Sequence, residues 1–212
     1  NNELSKRIIS SLIIIPVALF FIIKGSFLFT SFILICFLIS SYEWHKMSNK
    51  KPYYLPGLLF LILSFYSAHL IRLNDGNNLE FFMYILIVCV STDIGGYIFG
   101  KIFKGPKLIR ISPNKTYSGV IGGYLMSIIL YYLFITLNYG NEINSNDFIF
   151  VLLISTISQL GDITISYFKR LSKIKDTGKI LPGHGGLLDR IDGMIFAFPV
   201  AYIIFKIIKI NF

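Results

Sequence analysis

Four aspartates stand where an apolar sequence has no ordinary use for them. Asp93 and Asp162 lie inside long apolar runs, and Asp189 and Asp192 sit at i and i+3, on one helical face at the start of another run. An ionised side chain at membrane depth costs about 3 kcal/mol even on lenient scales, so such residues face a cavity, an ion or a partner. Between Asp162 and Asp192 lie Lys169, Arg170, Lys173, Lys175, Lys179 and Arg190. Converging carboxylates suit a hard divalent cation such as Mg²⁺, which takes one or two of them together with waters and substrate phosphates. Ammonium and guanidinium groups around that ion neutralise phosphate oxygens, and metal plus basic groups are a sufficient kit for phosphoryl or nucleotidyl transfer.

The elements that must position these groups are membrane helices. Hydrophobic residues make up 54% of the chain and charged ones 15%, outside the soluble globular range. Seven stretches, near residues 8–24, 26–42, 53–73, 79–100, 118–138, 147–168 and 190–209, approach the roughly 20 apolar residues of a bilayer-crossing helix. The expected fold is an all-α integral membrane protein, a bundle of about seven transmembrane helices around a polar cavity facing the cytoplasm. It forms one domain over residues 1–212, with the chemistry concentrated in residues 91–192. Neither a repeat nor a linker divides it. The polar, basic start leads into the first run without a small-residue cleavage site, so an uncleaved first span is expected.

The net charge of +9 does not point to nucleic acid, because the basic residues sit in short clusters between apolar runs. Sixteen of the twenty fall on one side of the seven-span scheme, leaving Lys24, Arg72, Lys206 and Lys209 on the other. The positive-inside rule then places the N-terminus and both long polar loops in the cytoplasm. Cys36 and Cys89 lie in apolar runs without Cys or His neighbours and read as inert buried thiols. His69 reads as a packing or helix–helix hydrogen-bonding residue, and Tyr42, Trp44, Tyr53 and Tyr54 as anchors at headgroup level.

At helical spacing, Ser155, Ser158, Gln159, Asp162, Ser166 and Lys169 form one polar stripe that must line a cavity. The loop of residues 101–119 carries Ser112, Lys115 and Thr116 among turn-forming residues; it either binds phosphate or anchors the chain at the membrane. Gly96 and Gly100, like Gly119 and Gly123, have the spacing that lets helices approach closely. No GxxxxGK[ST] loop is present. The run Pro182-Gly183-His184-Gly185-Gly186 reads instead as a turn that approaches a ligand closely, with His184 contacting phosphate or exchanging a proton.

Residues 166–192 resemble the signature of the phosphatidate cytidylyltransferase (CDP-diacylglycerol synthase) family. The matching letters are Ser166, Phe168, Lys169, Arg170, Lys175, Asp176, Gly178, Leu181, Pro182, His184, Gly185, Gly186, Asp189, Arg190 and Asp192. Upstream, residues 91–100 resemble the family's Asp-bearing span, Ser112 to Thr116 its S-P-x-K-T loop, and Gly161-Asp162 its Gly-Asp pair. The resemblance implies transfer of CMP from CTP to phosphatidate in a bacterial inner membrane, with Mg²⁺, and K⁺ as a second ion. It implies metal-site roles for Asp162 and Asp189, with Asp192 a third participant. Catalytic roles fall on Asp162, Asp189, Lys169, Arg170 and His184. Substrate contacts fall on Asp93, Ser112, Lys115, Thr116, Ser166, Lys175, Asp176, Gly185, Gly186 and Arg190. Expected partners are CTP, phosphatidate and membrane lipids, and a homodimer is compatible with the pattern.

Two positions depart from the family. Ile165 stands where the family often has Glu, one turn from Asp162, and Ser118 stands where it usually has Glu or Gln. The Ile165 position bears on metal occupancy or on the groups that orient the metal's ligands. The competing expectations are a CTP-dependent polyprenol kinase, a cytidylyltransferase for another lipid, and, from a different class, a secondary transporter; no inverted repeat supports the last.

Overall fold

The apolar runs all become helices in the computed structural model, which describes residues 2–73, 78–109, 112, 115–140, 145–181, 183 and 185–208. The order is α1 (Asn2–Lys24), α2 (Ser26–Ser48), α3 (Tyr54–Leu73), α4 (Asn78–Phe103), α5 (Tyr117–Tyr139), α6 (Ser145–Leu171), the single turn α7 (Leu188–Ile191) and α8 (Met194–Ile208). Among the described residues there is no strand, only two isolated bridges, Lys107 to Thr116 and Leu181 to Gly185. Helices α2 to α6 contain five stretches long and apolar enough to cross a membrane; residues 10–24 and 194–206 form shorter apolar helices. The chain is an all-α, polytopic integral membrane protein. Leu12, Ile35, Leu38, Leu59 and Leu137 point outward, as lipid-facing residues do.

Three element ends differ most from the sequence expectation, the first being α1, which begins at Asn2 rather than near residue 8. Helix α2 runs to Ser48 rather than ending near residue 42, because Glu43, Trp44 and Met47 are buried on its inner face. The last span does not begin at residue 190: the chain makes the turn α7, breaks at Asp192 and Gly193, and only then enters α8.

Helices α1 and α2 form a tight hairpin at Gly25, whose φ of +65° suits glycine. From α3, Arg72 closes it: Nε donates to the Ile22 carbonyl at 2.8 Å and Nη2 to that of Ile23 at 3.0 Å, satisfying carbonyls the end of α1 would leave bare. His69 meets Thr30 Oγ1 at 3.2 Å, the helix–helix hydrogen bond expected of it.

Helices α4 and α5 touch through glycine. A Cβ on Gly95 would fall 2.3 Å from the Gly122 carbonyl oxygen, and one on Gly119 would fall 2.9 Å from that of Gly96. With no hydrophobic gain between helices in lipid, such close approach is what holds them together. It also fixes the start of α5 beside the Asp93 segment of α4.

Two apolar clusters fill the bundle. The larger joins Phe29, Ile71, Val88, Tyr131, Ile154 and Ala201 toward the end away from the long polar loops. The smaller joins Trp44, Met47, Leu61, Phe65, Ile165, Leu188 and Ile195 beneath the signature segment. Trp44 therefore corrects its sequence reading: it is 2% exposed, donates from Nε1 to the Tyr54 carbonyl at 2.9 Å and packs edge-on against Phe168. A headgroup anchor has an exposed ring, and here that is true of Tyr42 instead.

Candidate active site

The stripe on α6 faces inward, as its spacing requires. Ser155 is buried and receives the Thr92 hydroxyl from α4 at 2.9 Å, Ser166 donates to Asp162 Oδ1 at 3.3 Å, and Lys169 donates to Asp189 Oδ1 at 2.8 Å. Gly161 explains the residue that follows it. A Cβ there would lie 2.8 Å from the Asp192 carbonyl oxygen and 2.7 Å from Phe196, so glycine is what lets the start of α8 press onto α6. That contact sets Asp162 beside Asp192.

The loop after α4 delivers a cation to the same place. Leu108 N–H donates to the Lys115 carbonyl at 2.8 Å and Tyr117 N–H to that of Pro106 at 3.2 Å, closing the loop on itself. Lys115 then reaches Asp162, Nζ to Oδ2 at 2.5 Å. Thr116 serves as the N-cap of α5, accepting the Gly119 N–H at 3.1 Å, and Ser118 bonds both Thr116 and the Lys104 carbonyl. The hydroxyls at residues 116 and 118 thus shape the loop that aims Lys115. The Ser112 carbonyl accepts the Lys115 N–H at 3.1 Å.

Asp189 is the knot of the signature segment. Its Oδ2 accepts the Thr177 N–H at 2.7 Å, the Thr177 hydroxyl at 3.0 Å and the Gly186 N–H at 3.1 Å, while Oδ1 takes Lys169. Burial alone raises the Asp189 carboxyl, but the hydrogen bond and charge of Lys169 and the two backbone N–H groups outweigh it and hold it below the usual carboxylate range. Asp192 goes the other way: burial, then the charges of Asp162 and Asp93, push its carboxyl well up against the pull of Lys169 and the Gly193 N–H. Asp93 is exposed on α4 within electrostatic reach of Asp162, Lys115 and Arg190.

Asp93, Lys115, Asp162, Ser166, Lys169, Asp189, Arg190 and Asp192 therefore share one electrostatic neighbourhood. Gly185, at φ +89°, exchanges two backbone hydrogen bonds with Leu181 of 3.0 and 3.2 Å, and these close the turn. Asp176 lies against Gly185, and Lys175 is exposed beside it. Arg170 is turned to a local task, donating to the Ile174 carbonyl at 3.2 Å just past the end of α6. His184 lies outside the described residues.

Glu43 escaped the sequence reading. It is 1% exposed, and its carboxylate accepts the Thr177 hydroxyl at 3.0 Å and the N–H groups of Leu187 and Leu188 at 3.0 and 2.8 Å. One signal was present: it is the sole acidic residue between Glu3 and Asp75, set between two aromatic residues.

The model of the Cytidylyltransferase family matches residues 5–73 and 53–208. The chain belongs to this family. A Rickettsia felis protein named phosphatidate cytidylyltransferase is 35% identical over 206 residues, covering 93% of this chain and 90% of the relative. Its counterpart of the same name from Rickettsia typhi is 36% identical over 207 residues, covering 92% and 89%. One from Staphylococcus aureus is 42% identical over 130 residues, covering 59% of this chain and 49% of the relative.

In this cytidylyltransferase chain, no three acidic, histidine or cysteine side chains among the described residues gather closely enough to hold a metal ion alone. Oxygen donors are nonetheless present in the right chemistry. Asp192 lies within electrostatic reach of Asp162 and Asp93, and Asp189 Oδ2 is taken up by Thr177 and Gly186, which leaves Oδ1, now on Lys169, the freer oxygen to face an ion. This fits a cation that brings its own phosphate ligands. Ile165 is buried in the smaller apolar cluster, away from this polar face.

Proposed function

We propose that the chain transfers CMP from CTP to phosphatidate, giving CDP-diacylglycerol and pyrophosphate. The observation that carries the reading is the junction of the charged cluster with an apolar cavity of about 810 Å³ between α1, α2, α3, α4 and α8. Arg190, Leu181, Leu187 and Ile191 of the signature segment line one end of that cavity, and its remaining walls are almost wholly apolar. An acyl chain suits those walls, and a phosphate suits the cluster at their end. One lipid phosphate can thus meet a nucleotide triphosphate with its tail still in an apolar setting.

In the reaction a phosphatidate phosphate oxygen attacks the α-phosphorus of CTP. The bond to the bridging oxygen breaks, and pyrophosphate leaves with that electron pair. Lys115 and Lys169 pair with carboxylates in the free protein and are placed to pass their charge to phosphate oxygens. Asp162 and Asp192, with Asp189 through Oδ1, would hold Mg²⁺; a bound Mg²⁺ polarises the phosphates and offsets the charge that develops on them. The chain needs no covalent nucleophile. We place the cluster on the cytoplasmic side of a bacterial inner membrane, on the support of the basic residues that gather at that end.

The test is purified protein in detergent with CTP, phosphatidate and Mg²⁺. Label from the α-phosphate appearing in lipid, with matching pyrophosphate, supports the transferase. Label from the γ-phosphate in lipid replaces it with a lipid kinase, and flux into vesicles without CTP turnover replaces it with a transporter.

A further inference from the structure

Glu43 belongs to α2, far in sequence from the signature, yet among the described residues every hydrogen-bond partner of its carboxylate comes from the segment 177–188. A carboxylate this deeply buried is costly unless it is fully hydrogen-bonded. No Lys, Arg or His side chain among the described residues pairs with it. Two glycines of the segment are shaped around it: a Cβ on Gly178 would lie 2.4 Å from Oε1, and one on Gly186 would lie 2.7 Å from Oε2.

The link to the reacting groups runs through Thr177. Its Oγ1 stands 3.0 Å from Glu43 Oε2 and 3.0 Å from Asp189 Oδ2, and its N–H is on Asp189 as well. A hydroxyl carries one hydrogen, so the bond to one carboxylate is set against the bond to the other. The second route is the backbone: Glu43 holds the N–H groups of Leu187 and Leu188, immediately before Asp189 and after Gly186. Both routes end on Oδ2 and leave Oδ1 directed at Lys169.

We propose that Glu43 is a positioning residue of the active site, which through Thr177 and the Leu187–Leu188 backbone fixes Asp189 so that Oδ1 faces the nucleotide and its cation. The proposal rests on the cytidylyltransferase reading above, which gives Asp189 that cation to meet. Groups that orient metal ligands characteristically change affinity or activity by about 10- to 100-fold when altered.

The test compares wild type, Glu43→Gln and Thr177→Val in detergent. The first variant keeps the shape but replaces one acceptor oxygen by an N–H₂ group. The second removes the bridging hydroxyl and leaves the bonds of Glu43 to Leu187 and Leu188. Expected are a rise of about tenfold or more in the Mg²⁺ concentration for half-maximal rate in both variants, and an unchanged KM for phosphatidate. Faster amide exchange at residues 186–188 in nucleotide-free Glu43→Gln is the readout independent of turnover. A merely structural lesion lowers the active fraction without moving Mg²⁺ half-saturation; that result, or unchanged amide exchange, overturns the proposal. If Glu43→Gln does not fold, Thr177→Val decides by the same Mg²⁺ criterion. Wild type that forms no CDP-lipid refutes the reaction instead, and amide exchange still tests the anchor.

Discussion

Lys115 Nζ lies 2.5 Å from Asp162 Oδ2, tying the loop before α5 to the middle of the α6 polar stripe. Both side chains are partly exposed, so the pair contributes little to stability, under about 1 kcal/mol. Its value is positional: the ammonium is parked on a carboxylate where phosphate would arrive. Lys115→Met is expected to lower kcat/KM for CTP about 100-fold while moving the melting temperature little. Initial rates and thermal unfolding in the same detergent check both halves.

Gly161→Ala tests the contact that sets Asp162 beside Asp192. The new methyl group would fall 2.8 Å from the Asp192 carbonyl oxygen, which is backbone and cannot swing aside. Overpacking of this kind costs about 1–3 kcal/mol, and here it pushes apart two carboxylates of the site. Thermal stability and CDP-lipid formation should fall together, and a variant with full activity would show that the two helices need not touch.

Acid should act through Asp189. Its carboxyl is held below the ordinary value, so the folded state favours its ionised form. The corresponding stability is fully present above the unfolded value of about 3.9 and is lost as pH falls from there through the lower folded value. In divalent-free buffer, wild type should exceed Asp189→Asn in melting temperature at neutral pH. The gap should close only below about pH 4. A gap that already closes near pH 6 would mean that another group controls it.

Arg72 is expected to matter for stability alone. Its guanidinium bonds two carbonyls at the end of α1, on helix ends remote from the signature segment. Arg72→Met should cost about 2 kcal/mol, the scale of hydrogen bonds from a charged donor. Turnover per folded molecule should stay at the wild-type level, and melting curves with active-fraction titration read the two effects separately.

Much of the molecule could be read without a structure because its determinants are local. Apolar run length fixes helices in a bilayer, and the period of 3.6 residues puts Asp162, Ser166 and Lys169 on one face. The spacing of residues 166–192 carried the family. Close helix packing was legible at Gly96 and Gly119, whereas the tightest contact of α4 on α5, Gly95 against Gly122, was not.

Which partner each polar group meets was decided only by tertiary packing. Thr116 and Arg170 have types suited to phosphate, and in the folded chain they also serve a helix N-cap and a nearby carbonyl, because helix ends leave backbone groups that need partners. Trp44 went inward because α2 continues past its apolar run, and the same continuation buries Glu43. Glu43 finds its donors more than 130 residues later in the chain, and no spacing rule reaches that far. Sequence alone determined the helices, the stripe and the signature, since those depend on transfer free energy and helical period. The pairing of Lys115 with Asp162, Asp162 with Asp192, and Glu43 with the Asp189 loop depends on how closely four separate segments pack, and only the folded structure holds that information.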